Sequence, residues 1–129
     1  MNTPTLSAFT MTELLDTSTL AAMRETLGEE MCRELIERFL ERLNARHRRM
    51  SQSLARKDRC DLAEAAHAMK GAASTMGCIG LAGIATVLER QAHSASLETL
   101  YSHIEELTLL SEQTQRMLVQ QGYICSLHA

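Results

Sequence analysis

The sequence predicts an all-α protein, an antiparallel up-and-down four-helix bundle with a short N-terminal helix. Its 129 residues suit a single domain. One proline and six glycines leave few turns for a many-stranded β protein. Aromatic residues make up only 3% of the chain, so the core must come from Leu, Ala, Met and Ile. Most of these residues lose little side-chain entropy in a helix, which favours the helical class.

The first half of the chain predicts an arm and two helices. Residues 1–12 are polar and rich in Thr, and we expect a flexible arm there. A short helix follows and stops at Gly28. The second helix begins at Glu29, where acidic residues favour the helix dipole, and its apolar residues keep helical spacing to Leu54. Three residues could cap the short helix: Asp16, Thr17 and Ser18.

The second half predicts three more helices, recognised by their capping residues and by the glycines that follow two of them. Because the connections are short, neighbouring helices should run antiparallel. Residues 13–122 would form the bundle domain and residues 123–129 a C-terminal tail. The expected limits are Asp58 or Asp61 to Met76, Leu81 to Ala92, and Ser94 or Ser96 to Gly122.

Composition excludes several classes of protein. The formal net charge of −3 excludes a globally basic nucleic-acid binder. No run of 18 apolar residues exists, so no membrane-spanning helix is expected, and the N-terminus does not have the pattern of a secretory signal. The four cysteines form no CxxC pair, which favours reduced, buried thiols. We therefore expect a cytoplasmic protein. We also expect a monomer, although the long apolar-faced helices leave dimerisation open.

One face of the third predicted helix is unusual. With Leu62 at the centre of the apolar stripe, His67 falls roughly 140° away and points to solvent. Lys70 and Gly71 follow one turn later, and Ser74 one turn beyond them. A lone exposed histidine is usually an ordinary surface residue. Here a mid-helix glycine, which costs about 1 kcal/mol relative to Ala, indicates close approach of another backbone, and the lysine offers a cation for a phosphoryl group.

These residues resemble a known family, the histidine-containing phosphotransfer (HPt) domain of bacterial phosphorelays. The stretch from His67 to Gly71 is similar to the family's H-x-x-K-G pattern, and a looser similarity extends from about Leu14 to Leu118. Met69 departs from the usual leucine by a change of near-equal volume. Further matching positions stand in register around the motif: Leu35, Phe39, Leu40, Leu54, Asp58, Gly77, Leu81, Ala82, Leu88 and Glu89.

The resemblance implies a phosphoryl carrier. His67 would accept a phosphoryl group from an aspartyl-phosphate in the receiver domain of a hybrid kinase and pass it to the Asp of a response regulator, while Lys70 neutralises the phosphoryl oxygens. The receiver would bring its own Mg²⁺, and the chain needs no cofactor. It shows no glycine-rich ATP loop, so it would not be an enzyme alone. The residues expected to touch the partner are Ala63, Glu64, Gly71 and Ser74.

A run of basic residues lies between positions 42 and 59. Its simplest explanation is a solvated helix face with cations near a helix C-terminus. A second hypothesis is that Arg46 or Arg49, level with His67, steers an acidic receiver onto the bundle. His47 replaces a leucine usual in the family, and we interpret it as a partly buried, hydrogen-bonded histidine.

Two alternative functions remain open. The chain could bind a receiver or kinase non-covalently, as an inhibitor or scaffold, although His67 and Lys70 argue against this. Glu64 and His67 also have the Glu-x-x-His spacing of a di-iron bundle. That chemistry needs two such motifs and two further glutamates, all facing inward, and the sequence has one motif that faces outward.

Overall fold

The structure, a computed structural model, describes residues 9–125 and contains helices and turns but no strand over that range. This confirms the all-α prediction. The six helices of the described residues are α1 (Met11–Leu14), α2 (Thr17–Leu27), α3 (Glu29–Ala55), α4 (Arg59–Thr75), α5 (Ile79–Gln91) and α6 (Leu97–Gln120).

The four long helices form a closed bundle. Helix α3 packs against α4 and α6, and α5 packs against the same two helices, so each of the four contacts two neighbours. Leucine dominates the core between them, as composition predicted. Helix α2 packs on α3, and α1 packs on α5 and α6. The predicted bundle with a short N-terminal helix is therefore confirmed.

Helix α1 was not predicted from the sequence. Thr10 caps it through a capping box, in which the Glu13 backbone N–H donates to the Thr10 hydroxyl and the Thr10 N–H donates to Glu13 Oε1. Leu14 and Leu15 are buried in the core. The arm boundary at residue 12 therefore falls inside a helix, while residues 1–8 of that arm lie outside the described residues.

The expected C-terminal tail also has buried residues. Tyr123 and Ile124 pack into the core, and the Arg24 guanidinium lies 3.9 Å from the centre of the Tyr123 ring. Apolar side chains that follow α6 therefore contact the core just beyond the bundle limit predicted at residue 122. Residues 126–129 lie outside the described part of the chain.

Capping residues position α4 and the turn that follows it. Asp58 caps α4 by accepting a hydrogen bond from the Asp61 backbone N–H. Gly77, after α4, adopts φ +73°, a left-handed conformation that favours glycine. A Cβ there would lie 3.2 Å from the Asp16 carbonyl oxygen, and the Asp16 N–H donates to the Gly77 carbonyl oxygen over 2.8 Å. The α4–α5 turn is thereby joined to the start of α2.

The four cysteines differ in their exposure to solvent. All four are free thiols, with Cys32 and Cys78 buried and Cys60 and Cys125 exposed. Burial raises the pKa of Cys78 to about 12, so this thiol stays protonated. The prediction of buried thiols is therefore wrong for Cys60 and Cys125. No helix within the described residues is long and apolar enough to span a bilayer.

Candidate functional site

His67 lies midway along α4 and projects away from the core. Its side chain is 69% exposed. The buried residues of α4 form one stripe on the opposite side, and they fix the rotation of the helix so that His67 must face outward. This confirms the orientation predicted for His67. The stripe consists of Leu62, Ala65, Ala66, Met69 and Ala73.

A carboxylate from the next helix holds the imidazole of His67. Glu89, on α5, accepts a hydrogen bond from His67 Nδ1 at its Oε2 atom over 2.8 Å. The Lys70 ammonium lies 2.8 Å from the other oxygen, Oε1. One carboxylate therefore bridges the two side chains singled out from the sequence, and it brings them together on one surface.

The electrostatics of this bridge determine which ring nitrogen is free. Hydrogen bonding from Lys70, and to a smaller extent from His67, lowers the pKa of Glu89 below its usual range. An ionised carboxylate can only accept hydrogen bonds, so Nδ1 of His67 carries the proton. In the neutral ring, the Nε2 atom then holds an available lone pair.

Glu89 is a candidate site residue to which sequence reasoning assigned no role. The Leu88-Glu89 pair was recognised as matching the family pattern, yet no role followed from it. Glu89 is 22 residues from His67 in the chain, and helical periodicity relates residues only within one helix. The contact follows from the packing of α5 on α4, which spacing within one helix does not show.

Gly71 has no structural reason of its own to be glycine. It is exposed in the middle of α4, and a Cβ there would meet nothing within 4 Å. Ser74, three residues further on, is also exposed. A side chain at Gly71 would meet no other atom of the chain. The glycine therefore leaves space on this surface for another molecule.

Two other predicted contact residues lie on the opposite side of His67. Ala63 and Glu64 line a shallow hollow between α4 and α5, together with His67 and Glu89. The Glu64 side chain is 76% exposed. Six of the eight residues predicted for the site are thus residues of α4, on the surface around His67.

The two predicted steering arginines have different surroundings. Arg49 Nη2 lies 2.6 Å from Asp61 Oδ1 and 3.5 Å from Glu64, so Arg49 connects α3 to α4 instead of presenting a free charge. The prediction for Arg49 took no account of this ion pair, because helical periodicity does not show contacts between helices. Arg46 lines a groove between α3 and α4 that also includes Gly71.

Two remaining hypotheses concern the environment of His47 and a metal site at Glu64 and His67. His47 Nε2 lies 2.8 Å from the Thr108 hydroxyl, and burial lowers the pKa of His47. This confirms a partly buried, hydrogen-bonded histidine. Within residues 9–125 no group of three or more His, Cys, Asp or Glu side chains could hold a metal ion, and Glu64 and His67 face outward.

The ion pair of Arg49 makes a pH-dependent contribution to stability. Hydrogen bonds from Arg49 and Ser53 lower the pKa of Asp61 from 3.8 to about 2. A carboxyl whose pKa is lower in the folded state stabilises the fold above pH 3.8, and this contribution is lost as the pH falls towards 2. We expect Asp61→Asn to lose less stability than the wild type as the pH falls. Urea unfolding between pH 5 and pH 2 measures the free energy of unfolding of both proteins, and an equal decrease in the two would contradict the prediction.

The comparisons with known proteins identify the family of the chain and a similar solved structure. A family model described as the Hpt domain matches residues 34–118. Among solved structures, the chain is similar to histidine-containing phosphotransfer protein B (HptB) from Pseudomonas aeruginosa PAO1, with 29% sequence identity and a TM-score of 0.76. The match covers 84% of this chain and 93% of that one. A comparison with curated protein sequences gives no match.

Proposed function

Because the chain belongs to the Hpt domain family of histidine phosphotransfer proteins, we propose that it is a phosphorelay intermediate with His67 as its phosphoacceptor. It accepts a phosphoryl group from the aspartyl-phosphate of one receiver domain and delivers it to the Asp of a response regulator. The observation that carries the proposal is the exposed His67, held at Nδ1 by Glu89 beside Lys70.

The hydrogen bond at Nδ1 prepares His67 for transfer in both directions. The Nε2 lone pair attacks phosphorus, the N–P bond forms, and the P–O bond to the receiver aspartate breaks, which releases a carboxylate. Nδ1 keeps its proton, so the ring gains positive charge, which the Glu89 carboxylate offsets. In the onward step the ring departs as a neutral imidazole, because Nδ1 is already protonated.

Lys70 has donors to spare for the phosphoryl group. An ammonium carries three N–H donors, and Glu89 is its only ion-pair partner among the described residues. The other donors can stabilise the phosphoryl oxygens as charge moves between Asp and His. We expect Mg²⁺ and the acidic pocket to come with the receiver, so the chain works as a stoichiometric carrier.

The proposed contact surface surrounds His67 on α4. Ala63 and Glu64 lie beside the hollow on one side, while Gly71 and Ser74 extend it on the other. Small side chains near the nucleophile allow the receiver to bring its phosphorylated aspartate within bonding distance. Arg46 of α3, which lines a groove together with Gly71, adds positive charge to that surface.

The replacement His67→Gln tests the proposal. We expect label from a panel of ³²P-phosphorylated receiver domains to appear on the wild type, to survive base and to be lost in acid, as an N–P bond requires. His67→Gln should take no label. His93→Gln, which changes another exposed histidine, is the matched control and should be labelled normally.

The opposite results identify the alternatives. A labelled His67→Gln protein would move the phosphoacceptor elsewhere. If no receiver transfers label but one binds tightly, the chain is a non-covalent inhibitor or scaffold.

Glu89 acts through His67, and its replacement separates orientation from charge. We expect Glu89→Ala to slow transfer by about tenfold or more, the scale of a lost charge-assisted hydrogen bond. Glu89→Gln keeps a carbonyl acceptor for Nδ1 and should lose less. Nitrogen-15 NMR of the imidazole reports the cause directly, because Glu89→Ala should shift His67 from the Nδ1-protonated form to a tautomer mixture. An unchanged tautomer with slow transfer would remove the positioning role.

Gly71→Ala should affect stability and transfer in opposite directions. An added Cβ meets nothing in the chain, so the helix should gain about 0.5–1 kcal/mol. The receiver would meet the methyl group, and transfer should slow by about fivefold or more, the effect of ~1 kcal/mol of overpacking. Gly83→Ala is the control, because Gly83 is an exposed helical glycine of α5 with the same free space. Equal transfer rates for the two variants would contradict the close approach.

A further inference from the structure

A second groove runs between α5 and α6, next to α1, and we call it the α5–α6 groove. Two buried residues, Ile84 of α5 and Leu110 of α6, lie at its base. Ile79, at the start of α5, is 41% exposed, and Val87 lines the groove about two turns further along the helix. Two helices with apolar side chains between them offer a place where the ridge of a third helix can pack.

Two glycines of α5 line this groove, and the packing of the chain requires only one of them. A Cβ at Gly80 would lie 3.0 Å from the Glu13 carbonyl oxygen, so glycine at this position allows α1 to pack on α5. A Cβ at Gly83 would meet nothing within 4 Å. Glycine inside a helix costs about 1 kcal/mol relative to Ala. Gly83 therefore indicates a surface that another molecule approaches closely.

The charged side chains of the α5–α6 groove are acidic. Glu13 of α1 and Glu106 of α6 line it, and no lysine or arginine of the described residues does. Glu13 accepts a hydrogen bond from the Thr10 N–H, and neither carboxylate has an ion-pair partner within residues 9–125. The groove histidine, His103, is held through its Nε2 atom, which lies 2.9 Å from Gln91 Oε1. The two carboxylates are therefore available to cations of a partner.

The α5–α6 groove lies on the side of α5 away from His67. Glu89 of α5 contacts His67 on α4, whereas Val87 lines the groove. Two residues rotate a helix by roughly 200°, so the two side chains leave α5 in nearly opposite directions. A partner in the groove would leave His67 open to solvent.

We propose that the α5–α6 groove docks an amphipathic helix of a second protein. The apolar ridge of this helix packs against Ile79 and Val87 and over Gly83, and its lysine or arginine side chains face Glu13 and Glu106. The proposal goes beyond phosphoryl transfer, because it gives the chain a binding surface that a partner can occupy while His67 stays accessible. A nucleic acid does not fit, since both carboxylates would repel its phosphates.

Charge separates this partner from one that binds between α3 and α4. The groove between those helices is lined by arginines, whereas the α5–α6 groove carries only carboxylates as charged side chains apart from the histidine. A basic helix would be repelled at the first and attracted at the second, so the two grooves select partners of opposite charge. The arginines are Arg38, Arg42 and Arg46.

The first test uses a designed amphipathic peptide, the lysine peptide, with leucines at helical spacing and lysines beside them. A matched peptide carries glutamates in place of the lysines. At low salt we expect fluorescence anisotropy to show the lysine peptide binding about tenfold or more tightly than the glutamate peptide. In nitrogen-15 NMR, the shifted amides should centre on Ile79, Gly83 and Val87. Absence of binding, or shifts centred on another surface, would overturn the proposal.

Charge reversal at one glutamate tests the complementarity. We expect Glu106→Lys to weaken binding of the lysine peptide by about tenfold or more. Glu105→Lys is the matched control, because Glu105 is the neighbouring exposed glutamate of α6 and does not line the groove. Thermal unfolding shows whether both variants remain folded. Equal affinities of two folded variants would contradict the charge match.

Gly83→Ala tests the close approach of the partner. The added methyl group meets no atom of the chain but would meet the docked helix, so we expect the lysine peptide to bind about fivefold or more weakly. Unchanged affinity would remove Gly83 from the docking surface and overturn the packing proposed over it.

Two further measurements separate the proposal from its alternatives. Saturating lysine peptide should leave label transfer from a phosphorylated receiver to His67 within about twofold of its rate without peptide, because the peptide lies on the other side of α5. Strong inhibition would contradict that placement. If no receiver labels His67, the proposed function fails, whereas peptide binding at the groove still supports the docking surface. If the chain alone self-associates in analytical ultracentrifugation and Glu106→Lys abolishes this, a second copy occupies the groove and the separate partner is overturned.

Discussion

The close packing of α4 on α5 is the constraint on which the candidate site depends. Ala65, Ala66 and Ala73 of α4 and Ala85 of α5 are fully buried or nearly so. Small side chains let helix axes approach towards the short end of the ~8–10 Å range. Because α4 and α5 pack together, a glutamate of α5 reaches an imidazole on the outer surface of α4, and the 2.8 Å contact between His67 and Glu89 results. The interior of the bundle thus fixes an arrangement on its surface.

A carrier must gain and lose its group with similar ease, and the bridge through Glu89 suits both steps. A carboxylate fixed at Nδ1 keeps one ring nitrogen protonated, so the other is a nucleophile when free and a good leaving atom when occupied. Lys70 shares the same carboxylate, which places a cation near the imidazole of His67. Under the proposed function these properties need no closed pocket, because the receiver would supply the remaining groups.

Capping residues and the spacing of apolar residues predicted the long helices and the orientation of His67. These local patterns did not predict the contacts between helices. The caps at Asp16, Asp58 and Ser96 were among the residues proposed from sequence. Helix α1 is a single turn and is too short to show apolar periodicity. Its Thr10-x-x-Glu13 capping box is a sequence signal that could have predicted it. The bond from Glu89 to His67 and the pairing of Arg49 with Asp61 join different helices. Their prediction required the rotation and offset of neighbouring helices, which spacing within one helix does not contain.

The exposure of His67 has a consequence for the lifetime of anything carried there. With 69% of the side chain open to solvent, a group on Nε2 stands in bulk water, and the described residues form no cover over it. Its persistence would depend on the intrinsic strength of the bond to nitrogen and on the charges beside it. Under the proposed function, water and a receiver aspartate would compete for the same phosphorus atom, and the alignment of the aspartate would decide how much of the phosphoryl group is transferred.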